Sequence, residues 1–212
     1  MKKWLLFLLI LFSGCGGGNT DSKPVVSVYN DSASTGDYLK DGQLMHTIDP
    51  LAGIAINRSM NGRAVTELVA GGSVAHGFTP TTRSLAEMLQ DDPAQIVMVG
   101  GGHVDAMYTN ETPTEYYNAV VKEVELVVAA GKTPVVRGLN HFAETPFVTK
   151  EMLARRDQFN EIDREVAATH YARFCDVGKV SFDGLSDLAY DQLHPNEQYN
   201  AKIKPILEEC FK

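Results

Sequence analysis

Ser32, Asp191 and His194 are residue types that together can carry out nucleophilic acyl transfer. Ser32 lies within the stretch VVSVYNDSASTGDYL, residues 25 to 39, in which an apolar, β-branched run stops abruptly at Asn30-Asp31-Ser32 and small or polar residues follow as far as Gly36. A serine hydroxyl is a weak nucleophile until a base takes its proton. A base stands near the other end of the chain, in YDQLHPN, residues 190 to 196. Asp191 and His194 are three residues apart, just before a predicted helix. In a turn, that spacing lets the carboxylate accept from one imidazole nitrogen while the other faces outward, which fixes the tautomer and stabilises the imidazolium that forms.

The elements that must bring these residues together are legible as alternating patterns. Short, mostly apolar runs predict strands at 25–29, 53–57, 95–100, 133–138 and 172–177, of the kind buried on both faces. Helical patterns lie between them. NGRAVTELVAGG places Val65, Leu68 and Val69 on one side, and SLAEMLQ opens with a Ser-x-x-Glu capping box at Ser84 and Glu87. The helix after Thr112 has Pro113 in its first turn and Glu115 completing the box, with Tyr117, Val120, Val124 and Val128 at helical spacing. A further pattern carries Met152, Phe159, Ile162 and Val166, and a last helix follows Pro195. Such alternation predicts an α/β fold with a parallel sheet between helices. In open parallel sheets the chemistry sits at the carboxyl ends of the strands. The loops at 30–32, 57–62, 101–105 and 138–141 should therefore meet at one edge.

Four stretches, NDSASTG, NRSMNG, GGHVDA and DQLHPN, occur in the order of the sequence blocks of the SGNH, or GDSL-like, hydrolases. Together they span 26 to about 205, and the chain resembles that family. The resemblance implies a three-layer α/β/α sandwich, flavodoxin-like, with about five parallel strands, and hydrolysis of acyl esters without metal or other cofactor. By position, Ser32 would be the nucleophile, His194 the base and Asp191 its orienter, with the backbone amides of Ser32 and Gly62 holding the oxyanion. Two departures bear on the chemistry. Asn30 stands where the first block usually has glycine, which suggests a left-handed backbone that asparagine tolerates. The third block, normally Gly-x-Asn-Asp, has no asparagine to donate to the oxyanion. In one register Val104 takes its place and Asp105 that of the aspartate; in the other His103 takes its place. Valine cannot donate and histidine can, so the expectation is that His103 faces the cleft beside Ser32 and Gly62.

Other polar residues carry weaker signals. Arg137, Asn140 and His141 follow the fourth strand and are candidates for touching substrate, or for a structural ion pair or solvated loop. His46, His76 and His170 have no metal-ligand spacing and read as surface or capping residues. Asp49 has no evident role, and Tyr116–Tyr117 reads as helix packing and rim.

Composition bounds the rest. At 212 residues and 44% hydrophobic, the chain has enough for one sizeable core, and its net charge of −8 with no basic cluster excludes nucleic acid as an expected partner. The first residues read as a bacterial lipoprotein signal: two lysines, an apolar run from Trp4 to Phe12, then Ser13-Gly14-Cys15. This divides the chain into a signal at 1–14, a flexible tether at 15–24 and the hydrolase-like domain at 25–212. Cys15 would be lipidated and anchor the protein to a membrane of the cell envelope. Gly16 favours the outer membrane. Cys175 and Cys210 either pair, as an oxidising compartment allows, or stay as separate buried thiols. The expected substrate is an O-acylated, O-acetylated above all, carbohydrate. A lipid ester, an acyltransferase with the same triad and a non-catalytic glycan- or partner-binding lipoprotein are the alternatives. Oligomeric state is not legible.

Overall fold

The computed structural model describes residues 24–41, 43–72 and 83–212. The signal, Cys15 and His76 lie outside them. Five parallel strands form the sheet: β1 (Val26–Val28), β4 (Ile56–Asn57), β5 (Ile96–Gly100), β6 (Thr133–Arg137) and β7 (Arg173–Cys175). They lie in the order β4-β1-β5-β6-β7, with every pairing parallel. This is the flavodoxin-like order, and it reverses direction at β1, where one neighbour is β4 and the other β5. The three-layer fold expected from the sequence is the fold observed.

The layers follow from the alternation of side chains along a strand. Val97 and Val99 of β5 pack with one cluster, which takes Leu68 from α2 (Val65–Ala70), Leu85 from α3 (Leu85–Gln90), Val120 and Val124 from α5 (Pro113–Ala129) and Phe159 from α6 (Lys150–Thr169). Ile96 and Met98 pack with the opposite cluster, with Tyr199, Ile203 and Leu207 of α7 (Glu197–Cys210). Each fully buried side chain of this kind contributes about 1.5–3 kcal/mol. The predicted capping boxes form at Ser84 and Thr112. Asn196 caps α7 by accepting from the amide of Tyr199 at 3.0 Å.

Four short elements were not expected. α1 (Ser32–Thr35) is a single turn, β2 (Asp37–Lys40) and β3 (Gln43–His46) form a small antiparallel pair, and α4 (His103–Tyr108) follows β5. Cys175 and Cys210 are joined in a disulfide, with Cα atoms 5.6 Å apart, linking the end of β7 to the end of α7.

The glycine run after β5 is braced from beneath. The amide of Gly100 donates to Glu123 of α5 at 2.9 Å, that of Gly101 to Asp163 of α6 at 3.4 Å, and that of Gly102 to the hydroxyl of Tyr116 at 3.1 Å. Tyr116 in turn donates to Asp163 at 2.9 Å and stacks on Phe159. Tyr116 is thus a brace for the site and not a rim residue. Burial pushes the Glu123 and Asp163 carboxyls well above the usual carboxylate range. Neutral acids suit this place, since one oxygen of Glu123 has no partner and a buried unpaired charge is costly. Gly102 can be nothing larger: a Cβ there would clash with the Tyr116 ring and stand 2.7 Å from Asp105 Oδ2.

Candidate active site

The turn that carries Ser32 is built by its two neighbours. β1 ends at Val28, and Asp31 caps α1 by accepting from the amide of Ala33 at 2.9 Å. The second oxygen of Asp31 reaches across to α4, accepting from the backbone amide of His103 at 2.9 Å and from its ring at 3.1 Å. Asn30 does not take the left-handed backbone expected of a glycine substitute. Its side chain works instead, donating to the carbonyl of Gly100 at 2.5 Å and accepting from Ser34 at 3.2 Å. The nucleophile turn is thereby tied to the end of β5, at the point where the strand order reverses.

The base arrives on the loop before α7. Gln192 adopts a left-handed backbone (φ 58°), and Asp191 Oδ1 accepts from the amides of Leu193 and His194, both at 3.0 Å. Asp191 Oδ2 lies 2.6 Å from His194 Nδ1, and His194 Nε2 lies 2.7 Å from Ser32 Oγ. This geometry corresponds to Nδ1–H donating to the carboxylate and Nε2 accepting from the serine hydroxyl. Burial raises the Asp191 carboxyl, but the hydrogen bonds and charge of His194 outweigh it and hold the group below its ordinary range. It therefore stays ionised at neutral pH, as the orienting role requires.

Ser32 and His194 open onto a cavity of about 370 Å³. Asn61 and Gly62 line it beside them, and Tyr38 borders it from β2. Val104, Met107, Tyr108, Phe142 and Leu193 give it an apolar wall. Gly62 has φ 74°, which only glycine adopts at low cost, so the Asn61-Gly62 turn is fixed in shape. The amides of Ser32 and Gly62 have no partner among the described residues.

The remaining candidates fall elsewhere. His103 touches the cavity, but its ring is 3% exposed and both nitrogens are engaged: Nδ1 with Asp31, and Nε2 accepting from the amide of Asn140 at 2.7 Å. Burial lowers its pKa against the pull of Asp31, so the ring is neutral and has no N–H left to give. The expectation that His103 donates to an oxyanion does not agree with this arrangement. Asp105 is buried and accepts from the amide of Val65 at 3.0 Å, which favours the register with Val104 in the asparagine's place. Arg137 and Asn140 are both buried and bond each other at 2.8 Å, away from the cavity. His141 turns to the far side, between Arg156 at 2.7 Å and the carbonyl of Gly178 at 2.6 Å. All three side chains are taken up by other groups of the protein and none lines the cavity. Asp49 also braces backbone, accepting from the amide of Leu51 at 2.7 Å. His46 pairs with Asp37 at the surface, and His170 caps α6.

With this relay in view, the comparison with known proteins is specific. The profile of the GDSL-like lipase/acylhydrolase family matches residues 32–202, nearly all of the folded chain. The chain belongs to that family. It is accordingly a serine hydrolase of carboxylic esters. No curated protein matches it in sequence. Among solved structures, a carbohydrate acetylesterase from Sinorhizobium meliloti is similar at 15% identity and TM-score 0.67, over 88% of this chain and 97% of the other. An aryl esterase from M. smegmatis is similar at 16% identity and TM-score 0.67, with the same two coverages. An acetylxylan esterase from Geobacillus stearothermophilus gives 13% identity and TM-score 0.63, over 89% and 94%. At these identities the likeness speaks for the fold alone.

In the sequence, Asp31, Asn61, Glu123 and Asp163 carry no assigned role, and Tyr116 reads as helix packing and rim. Asp31 had a signal, its place beside the nucleophile. The brace had none, because an acid within a long helix reads as a solvated face.

Proposed function

We propose that this GDSL-family acylhydrolase removes small acyl groups, acetyl above all, from carbohydrate, through an acyl-enzyme on Ser32. The observation that carries the mechanism is the unbroken relay Asp191–His194–Ser32 at 2.6 and 2.7 Å, opening onto a cavity. Ser32 Oγ bonds to the ester carbonyl carbon as its proton passes to His194 Nε2. The tetrahedral oxyanion is held by the amides of Ser32 and Gly62. Collapse breaks the bond to the alkoxy oxygen, which takes the proton from His194 and leaves as the alcohol. A water molecule then gives a proton to His194 and attacks the acyl carbon, and the carboxylic acid leaves as Ser32 is reprotonated.

The acetyl and carbohydrate assignment is supported by the acetylesterases among proteins of the same fold. The apolar wall from Val104 to Leu193 favours a second reading, an ester with a longer acyl chain, since each CH₂ buried there would contribute about 0.8 kcal/mol. Turnover of p-nitrophenyl acetate, butyrate and octanoate separates the two. On the first reading kcat/KM is highest for acetate, and acetylated xylan or a peracetylated sugar is deacetylated. A rise in kcat/KM from acetate to octanoate would overturn it in favour of the lipid ester.

We further propose that the enzyme works in the cell envelope, anchored through lipid on Cys15. The signal-like first residues and the Cys175–Cys210 disulfide support an oxidising compartment. Several acyl chains on one cysteine give stable anchoring where a single chain gives marginal binding. Mass spectrometry of the mature protein is expected to find acylated Cys15 as its first residue. An unmodified N-terminus downstream of Cys15 would rule the anchor out.

A further inference from the structure

The third sequence block leaves the oxyanion without a side-chain donor, since Val104 has none and His103 has spent both nitrogens. Another side-chain donor lines the same cavity as the nucleophile. Asn61 precedes Gly62 in the loop after β4, is half-buried, and lines the cavity with Ser32 and His194. Its amide orientation is set by Thr35, whose single hydroxyl proton goes to Asn61 Oδ1 at 2.7 Å in preference to the more distant carbonyl of Ser32 at 3.1 Å. That distance is typical of O–H···O, and shorter than the usual 2.9–3.0 Å or so of N–H···O. The Thr35 oxygen is itself fixed, accepting from the amide of Asp37 at 3.0 Å at the end of the nucleophile turn. With Oδ1 held by Thr35, Asn61 Nδ2 is left without a partner among the described residues, and it is not sealed away from solvent.

We propose that the Asn61 side-chain amide is the third oxyanion donor of this enzyme. It rests on the acyl-enzyme reading above. As Ser32 Oγ bonds to the carbonyl carbon, the carbonyl oxygen takes up negative charge beside the amides of Ser32 and Gly62. Asn61 Nδ2 adds a third N–H from the residue next to Gly62. The donor has moved from the loop after β5 to the loop after β4, and Thr35 has become its positioning residue. A donor that meets charge only as it develops acts on turnover and little on substrate binding.

The test is steady-state kinetics of Asn61→Ala and Asn61→Asp on p-nitrophenyl acetate, beside Ser32→Ala. Asn61→Ala is expected to lower kcat by about 10²–10³-fold with KM within about threefold of wild type. Asn61→Asp keeps the size and the acceptor for Thr35 but loses the donor and adds a charge, so its kcat falls at least as far. A merely structural Asn61 would not split kcat from KM in this way, and Asn61→Asp gives the answer if the alanine variant does not fold. An Asn61→Asp enzyme with kcat within about twofold of wild type, or one whose loss lies in KM, overturns the proposal. Were Ser32→Ala itself to retain turnover, the acyl-enzyme reading would fall with it. An inactive Ser32→Ala beside a fully active Asn61→Asp removes the third donor alone.

Discussion

Ser32→Ala is expected to lower kcat on p-nitrophenyl acetate by about 10⁴-fold or more, and to abolish labelling by a fluorophosphonate probe. The change removes one oxygen from a partly exposed position and leaves the turn intact, because α1 is capped by Asp31 and braced by Asn30. Loss of activity would therefore report chemistry. His194→Ala should fall as far, and the double variant no further, since the two act as a unit. Asp191→Ala should leave more activity. The carboxylate orients the ring but does not form or break a bond to substrate. A Ser32→Ala enzyme that turns over at the wild-type rate would remove the mechanism altogether. A wild-type enzyme that neither labels nor hydrolyses any acyl ester would return the chain to the reading of a binding lipoprotein.

The second large effect concerns stability and should leave the chemistry alone. Cys210→Ala is expected to lower the unfolding free energy by about 2–4 kcal/mol, because the disulfide closes a loop across a sequence separation of 35 residues and so restricts the unfolded chain. Cys210 is the better partner to change. Cys175 is fully buried, and as a free thiol it keeps its packing against α7. The bridge ties the last strand to the end of α7, whereas His194 stands just before that helix begins, so kcat should hold within about twofold. Urea denaturation of the oxidised wild type and of Cys210→Ala, each with and without a thiol reductant, with turnover measured on the same preparations, checks both halves. An unchanged urea midpoint would mean that the bridge does not constrain the unfolded state.

How far the sequence could be read depended on where each residue's partner lay. Ser32, Asp191 and His194 were legible because their chemistry is local to two short stretches and the strand–helix alternation brings those stretches to one sheet edge. The role of His103 was not, because it is decided by the amide of Asn140, 37 positions away. Arg137 reads as a residue that seeks water or substrate. It is buried because the loop after β6 offers it the carbonyl of Gly138 and the side chain of Asn140. The place of Asn30 in its block points to its backbone, whereas its side-chain amide makes the contacts that hold the turn. The β2–β3 pair escaped notice because β3 is exposed throughout, so no alternation marks it.

The brace under Gly100 to Gly102 makes that loop's course nearly independent of which side chains the loop itself displays. Its amides answer to Glu123, Asp163 and Tyr116, all supplied by helices outside the block. Position 104 can therefore exchange an amide for an aliphatic group while the turn keeps its path. In this chain the shape of the third block is kept by a pair of helix-borne acids that stand outside it, beneath the glycines.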